Sequence, residues 1–313
     1  MYLFKKILFV LSTAFFCLYA PYQAYINHSP SQSNIVEIDD GSSINNAVSN
    51  FSNLNFINKI YLKYFIYIND IESIKAGEYL ISNKKMKHIL FDMVNENTVT
   101  HKFVIKEGSN IYQLSELINN SKLINDCKNF ECLNSEFPFI EGTLYPDTYF
   151  YKKGMKVSSL LKKSQDRLIK YLNSLNLKTK LNKQEVLILA SIIEKEAGNN
   201  EEKLKIAGVF LRRLNEKMRL QADPTIIYGL LPNFDGDIKR SNIIDKKNKY
   251  NTYMINGLPP TPIAISSISS INAAVNGQPG EFLFFVANSN NSHYFSKTYK
   301  EHQNKIEELG LNK

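Results

Sequence analysis

LNKQEVLILASIIEKEAGNN, residues 181–200, is the stretch on which the reading of this chain turns. Asn182 is a good helix N-cap, Glu185 three residues later completes a capping-box-like start, and Gly198 is a natural C-terminal stop. Between them Val186, Leu187, Ile188, Leu189, Ala190, Ile192 and Ile193 are apolar nearly all round, which predicts a buried helix. Two acids, Glu194 and Glu196, close it. Two residues turn about 200° around a helix, so these carboxylates face different sides. Glu196 falls beneath Ile192 and Ile193 at i−4 and i−3 and below Leu189, whereas Glu194 follows Ala190 and Ser191. A glutamate that ends a buried helix and projects into an apolar-walled cleft has its pKa raised by desolvation, toward that of a general acid working near neutrality. The plainer alternative is a solvated helix end. Acids there oppose the helix dipole at a cost of a few tenths of a kcal/mol, roughly, which function would explain.

The chain around this helix has 313 residues, enough for two modest domains. Hydrophobic residues at 43% and charged residues at 22% exclude a disordered chain and a fully membrane-embedded one. A net charge of +8 favours anionic surroundings, but the basic residues are scattered, which argues against nucleic acid. Trp is absent, so any aromatic platform for a ligand comes from Tyr or Phe. Cys127 and Cys132, in DCKNFEC, have no zinc-clip spacing; they read as two small thiols, or as a local disulfide if the chain is exported.

Lys5 and Lys6 precede an uncharged run from Ile7 to Tyr25. The run is short for a spanning helix, and a cleaved signal peptide competes with an anchor. No clean small-x-small cleavage site follows, and Tyr19, Tyr22 and Tyr25 suit an aromatic belt. The expectation is an uncleaved single-pass anchor over residues 1–27, its N-terminus cytoplasmic and its body exported. Residues 28–34 read as a linker. From Ile35 a strand-like IVEI leads through Asp40-Gly41 into a helical pattern, and a similar unit begins at Phe103. At an offset of 67, Ile38, Gly41, Ser42 and Ile44 match Ile105, Gly108, Ser109 and Ile111. Each copy reads as a strand, a turn at Gly, a Ser N-cap and an amphipathic helix. Met86, Ile89, Leu90 and Val94 form a further helical stripe. A small α+β module over 35–97 and a larger mixed α+β domain over 98–313 follow.

RLQADPTIIYG, 219–229, puts Arg219, Gln221, Asp223, Thr225 and Tyr228 on a loop entering a helix. Pro224 suits its first turn, with Asp223 as N-cap. Arg219 and Gln221 are candidates for polar and anionic ligand contacts. YNTY, 250–253, offers Asn251 and, in Tyr250 and Tyr253, aromatic faces for stacking a ligand. Asp147, in YPDTY, reads as structural.

Five segments, in order, closely resemble the endolytic murein transglycosylase family (MltG, YceG-like): IEGTLYPDTYFY (140–151), LILASIIEKEAG (187–198), AGVFLRRLNEKMRLQADPTIIYG (207–229), YNTYMINGLPPTPIA (250–264) and EFLFFVANSNNSHYFSKTYKEH (281–302). The resemblance implies a single-pass inner-membrane enzyme with a LysM-like module and a periplasmic catalytic domain that has a lysozyme-like helix end. It implies cleavage of the β-1,4 bond between N-acetylmuramic acid and N-acetylglucosamine inside nascent peptidoglycan strands, leaving 1,6-anhydromuramic ends. Glu196 matches the family's essential glutamate, and Arg219, Gln221, Asp223, Thr225, Tyr228, Asn251, Tyr253 and His293 are expected around it. No cofactor or metal is implied. Implied partners are glycan strands, penicillin-binding synthases and membrane lipid. The chain departs from the family pattern at Thr261 and Lys217, where Gly is usual, at Ile265-Ser266-Ser267, and before His293. A non-catalytic peptidoglycan-binding scaffold and a hydrolytic muramidase are the competing readings.

Overall fold

The computed structural model describes residues 2–30, 34–134, 136–288 and 292–311. Residues 31–33 of the expected linker and 289–291 of the turn before His293 lie outside the described residues. The chain divides into two compact units, Met1–His101 with Phe150–Gly154, and Lys102–Tyr149 with Met155–Lys313.

The first unit begins with α1 (Tyr2–Asn27) and continues through β1 (Ile35–Ile38), α2 (Ile44–Ser49), α3 (Phe56–Ile68), β2 (Gly77–Leu80) and α4 (Met86–Val94). β1 and β2 pair antiparallel, Ile35 opposite Leu80 and Ile38 opposite Gly77. Leu62 and Phe65 of α3 and Met86, Ile89, Leu90 and Met93 of α4 fill the core. The fourth core position of α4 is Met93, and Val94 packs only partly buried at its edge. The last turns of α1 join this core: Tyr22 and Ile26 are buried, with Tyr22 edge-on to Tyr61 and Tyr64 at 6.1 and 5.0 Å between ring centroids. The three tyrosines expected as one belt therefore divide, since Tyr19 is exposed and Tyr25 half-buried. Among the described residues no helix is long and apolar enough to cross a membrane.

The chain continues through β3 (His101–Ile105), α5 (Ile111–Asn119), β4 (Asp147–Tyr151), α6 (Val157–Ser174), α7 (Lys183–Glu196), α8 (Lys203–Asn215), α9 (Asp223–Leu230), α10 (Arg240–Ile243), α11 (Ile268–Asn276), β5 (Phe284–Asn288), β6 (Ser292–Ser296) and α12 (Tyr299–Glu308), of which all from α6 onward and α5 belong to the second unit. Both strand–turn–helix copies form, with Gly41 and Gly108 each at φ +73°, a backbone that suits glycine because it has no Cβ. The caps fall one residue later than the pattern suggests: Ser43 accepts from Asn46 N at 3.2 Å, and Asn110 makes a capping box with Gln113. Cys127 and Cys132 are joined as a disulfide, Cα atoms 5.2 Å apart.

α7 carries the capping box read from the sequence: Glu185 N donates to Asn182 Oδ1 at 3.0 Å, and Asn182 N to Glu185 Oε2 at 2.9 Å. Val186 through Ile193 are all buried, against Ile206, Ala207 and Phe210 of α8 and Ile271, Ala274 and Val275 of α11. Each Val, Leu or Ile among them contributes ~1.5–3 kcal/mol when fully buried, so the helix end is held by its own packing. The helix stops when Ala197 turns extended, φ −71° and ψ 124°. Gly198 is not in the left-handed cap conformation expected of it.

Candidate active site

Glu196 opens from the end of α7 onto a cavity of about 420 Å³ within the second unit. Arg213 of α8, Gln221, Asp223 and Tyr253 line it on the loop side, and the β5–β6 hairpin and α12 supply Phe285, His293 and His302. Phe285 pairs with Phe295, and Ala287 with His293, across the hairpin. Among the described residues nothing hydrogen-bonds the Glu196 carboxyl, and no group of three or more His, Cys, Asp or Glu could hold a metal ion. Burial pushes the Glu196 pKa up, Asp223 adds to the rise and Arg213 opposes it, leaving it at about 8.

The neighbours of Glu196 are themselves held. Tyr253 Oη donates to Asp223 Oδ1 at 2.7 Å, and burial followed by this bond drives the phenol pKa upward. Arg213, buried, donates Nε to the Leu283 carbonyl at 2.8 Å and Nη1 to the Leu220 carbonyl at 2.6 Å, which locks its guanidinium beside the cavity. His293 N donates to Glu202 Oε1 at 2.6 Å, and His293 Nδ1 lies 2.9 Å from Glu202 Oε2, so one carboxylate fixes both backbone and ring. His302 stacks on Phe284 at 5.3 Å, its Nδ1 buried without a hydrogen bond, and burial with the Arg213 charge lowers its pKa. Gln221 holds φ +50°, a strained backbone for a non-glycine residue and a recurrent mark of functional sites.

The YceG-like family model matches residues 36–308. The chain belongs to the YceG-like family. An endolytic murein transglycosylase of Bacillus subtilis (strain 168) is 38% identical over 173 residues, 54% of this chain and 47% of that protein. One from Streptococcus pneumoniae serotype 2 is 32% identical over 178 residues, 54% of this chain and 32% of its own length. The match thus spans about half or less of these curated relatives. A solved YceG-like protein of Listeria monocytogenes superposes with a TM-score of 0.56 at 30% identity, over 86% of this chain and 97% of that one.

Of the residues expected at a family site, Glu196, Gln221, Asp223, Tyr253 and His293 converge on the cavity, and four do not line it. Arg219 donates Nη1 to the Tyr253 carbonyl at 2.7 Å and braces the loop. Thr225 is fully buried, its Oγ1 on the Ala222 carbonyl at 2.6 Å and 2.9 Å from Thr252 Oγ1. Asn251, also buried, gives its amide to the carbonyls of Asn242, Ile243 and Asp245. Tyr228 donates to Glu141 Oε2 at 2.9 Å. Asp223 does not cap α9: Ala222 is the N-cap, leaving the Asp223 carboxylate free for Tyr253. Asp147 pairs with Arg167, in keeping with a structural role.

Arg213, His302 and Glu141 escaped the sequence reading. Arg213 had a signal, a basic residue following Val209 and Phe210 on an apolar helix stripe. Glu141 sits inside the quoted 140–151 segment; its carboxylate also accepts from Ile111 N at 3.0 Å, and burial raises its pKa to about 7 against those bonds. The departures from the family pattern find local explanations. Lys217 holds φ +56°, where glycine is at ease, and Thr261 Oγ1 lies 3.0 Å from Tyr250 Oη, a contact glycine would lack.

Proposed function

We propose that this chain is an endolytic lytic transglycosylase, cleaving the β-1,4 bond between N-acetylmuramic acid and N-acetylglucosamine within peptidoglycan strands. The observation that carries the reading is Glu196: a carboxyl without hydrogen-bond partners among the described residues, raised to about 8, opening on a polar cavity. At neutral pH it holds its proton. In the reaction it donates that proton to the glycosidic oxygen as the C1–O bond breaks. The resulting carboxylate then takes the proton of the muramic 6-hydroxyl while O6 bonds to C1, closing the 1,6-anhydro ring. The acid is regenerated, so one carboxyl suffices. Gln221 and His293 offer polar contacts, Tyr253 a stacking face and Arg213 a fixed positive charge for an anionic sugar substituent.

A second reading has its own support. A hydrolytic muramidase needs two carboxyl groups, and Asp223 shares the cavity with Glu196. Against it, the Asp223 carboxylate already accepts from Tyr253 Oη. The product decides. The full-length protein incubated with purified murein glycan should release anhydromuropeptides by mass spectrometry. Reducing ends would establish the muramidase, and no products from folded protein would leave a binding scaffold.

The rest of the reading is membrane attachment through α1, with exported units and the 35–97 segment as a LysM-like glycan-binding module. Lys5-Lys6 before the apolar run supports the first. Two helices between two antiparallel strands support the second, as does a cleft of about 620 Å³ edged by Asp40–Asn45 and Glu72–Ala76. A strand-cutting enzyme held there would act beside penicillin-binding synthases. A tag after Lys313 should become protease-sensitive only once the outer permeability barrier is opened.

A further inference from the structure

The 13-residue helix α3, FINKIYLKYFIYI, carries more apolar surface than its core needs. Leu62 and Phe65 face inward and are buried. Phe56, Ile57, Ile60, Tyr64, Tyr67 and Ile68 face outward, with Phe56 80% and Tyr67 83% exposed. At 100° per residue these six fall within an arc of about 120°. Lys59 and Lys63 lie just beside that arc, between it and the buried face, and the helix contains no acid. An exposed stripe of this size on a folded unit marks a contact surface.

The stripe continues onto a second element. Ile60 and Tyr64 of α3 line one apolar groove of about 360 Å³ with Phe15, Leu18 and Tyr19 of α1. Further up α1, Phe9 and Phe16 are exposed as well. Two helices thus present one apolar, aromatic and basic surface, continuous with the run that follows Lys5-Lys6. We propose that α3 lies in the headgroup region of an anionic phospholipid bilayer, its aromatic stripe turned into the lipid beside α1. At about 20 Å long it is too short to span a hydrocarbon core. A short amphipathic helix with aromatics on one face and lysines along its border fits the plane of the interface, where Tyr and Phe seat at the acyl boundary and Lys meets lipid phosphate. A second protein surface would need acids to answer those lysines and would leave the neighbouring apolar residues of α1 uncovered. The proposal fixes the first unit flat on the membrane, not at the end of a free tether.

The chain has no tryptophan, so one introduced indole reports without background. Tyr67→Trp is placed at an exposed site, with Phe150→Trp as an exposed aromatic off the stripe. Each full-length variant is reconstituted into vesicles of phosphatidylcholine with phosphatidylglycerol, with and without brominated acyl chains. Trp at position 67 should emit blue of the position 150 reporter and lose most of its emission to bromolipid. Lys59→Glu with Lys63→Glu in the Tyr67→Trp background should weaken that quenching, as should omission of phosphatidylglycerol. Vesicle-bound protein whose position 67 reporter is no more quenched than the position 150 reporter overturns the proposal and leaves α1 attachment standing. A blue-shifted, unquenched reporter that depends on protein concentration assigns the face to a second copy, and likewise overturns it. Protein that fails to bind vesicles removes both the interface and the anchor. None of these outcomes bears on the cavity around Glu196.

Discussion

At the end of α7, Glu194 accepts hydrogen bonds from the Ser267 backbone N–H at 3.0 Å, from the Ser267 and Ser270 hydroxyls at 2.5 Å each, and from Lys203 Nζ at 3.2 Å. Glu196, two residues on, accepts none from the described residues and opens on a cavity. Burial alone would raise the Glu194 pKa, but those hydroxyls, the amide and the lysine outweigh it and hold the carboxyl below its ordinary value. Burial and Asp223 raise Glu196 to about 8. One helix end thus carries a carboxylate kept ionised and a carboxylic acid kept neutral. The twist of the helix sends them to different surroundings, and surroundings alone divide their roles.

The largest effect expected is on catalysis. Glu196→Gln keeps size and polarity but removes the titrating proton, and should cost about 10²–10⁴-fold in turnover on glycan with the fold intact. Anhydro products at near wild-type rate would break the comparison at its centre. Next comes Glu194→Gln. Lys203 has only 7% of its side chain exposed, and leaving such a charge without its anion costs about 3–5 kcal/mol. Thermal or urea unfolding should show that loss, while residual folded protein still cuts glycan. If a stably folded Glu194→Gln protein were inactive, the catalytic role would move two residues upstream.

A smaller effect sharpens the contrast from the stability side. The Glu196 carboxyl titrates near 4.5 in an ordinary setting and at about 8 in the folded chain. The folded state therefore holds an extra proton between those values, and stability falls as pH rises through that window. Gln is neutral throughout, so Glu196→Gln should gain stability relative to wild type as pH rises from 4 to 8, read as a rising difference in melting temperature. The gain should vanish by pH 4, and a variant equally stable relative to wild type at both pH values would contradict the buried-acid reading. Smallest is the electrostatic touch of Asp223. Wild-type activity should fall as pH rises through about 8. Asp223→Asn removes the neighbouring negative charge and should move that alkaline limb down by less than about one pH unit. A limb that moves upward would show that Asp223 acts on Glu196 by some other route.

Much of this site was legible in the sequence where the signal was local. The all-round apolar pattern of 186–193 and the Asn182–Glu185 box specify a buried, capped helix, and the geometry of 3.6 residues per turn separates the two glutamates. Both Gly-turned strand–helix units follow from spacing. Local rules misplaced what depended on neighbours from afar. Asp223 before Pro224 looks like a cap, yet Tyr253, thirty residues on, takes its carboxylate. Thr225 and Asn251 look like site residues, yet both are consumed in holding the loop backbone. α3 has no clean period because one face serves the core and another is left exposed.

From the order of residues alone come the helix, its N-terminal cap, the two acids at its end and the family, since each is written in residues a turn or a motif apart. Which groups meet Glu196 is a matter of the fold. Arg213 from α8, Tyr253 from a loop, His293 from a hairpin and His302 from α12 are far apart along the chain. They share one cavity because apolar burial of α7 against α8 and α11 fixes where each scaffold ends. Packing is set by the summed surfaces of whole elements, so no local window of sequence contains it.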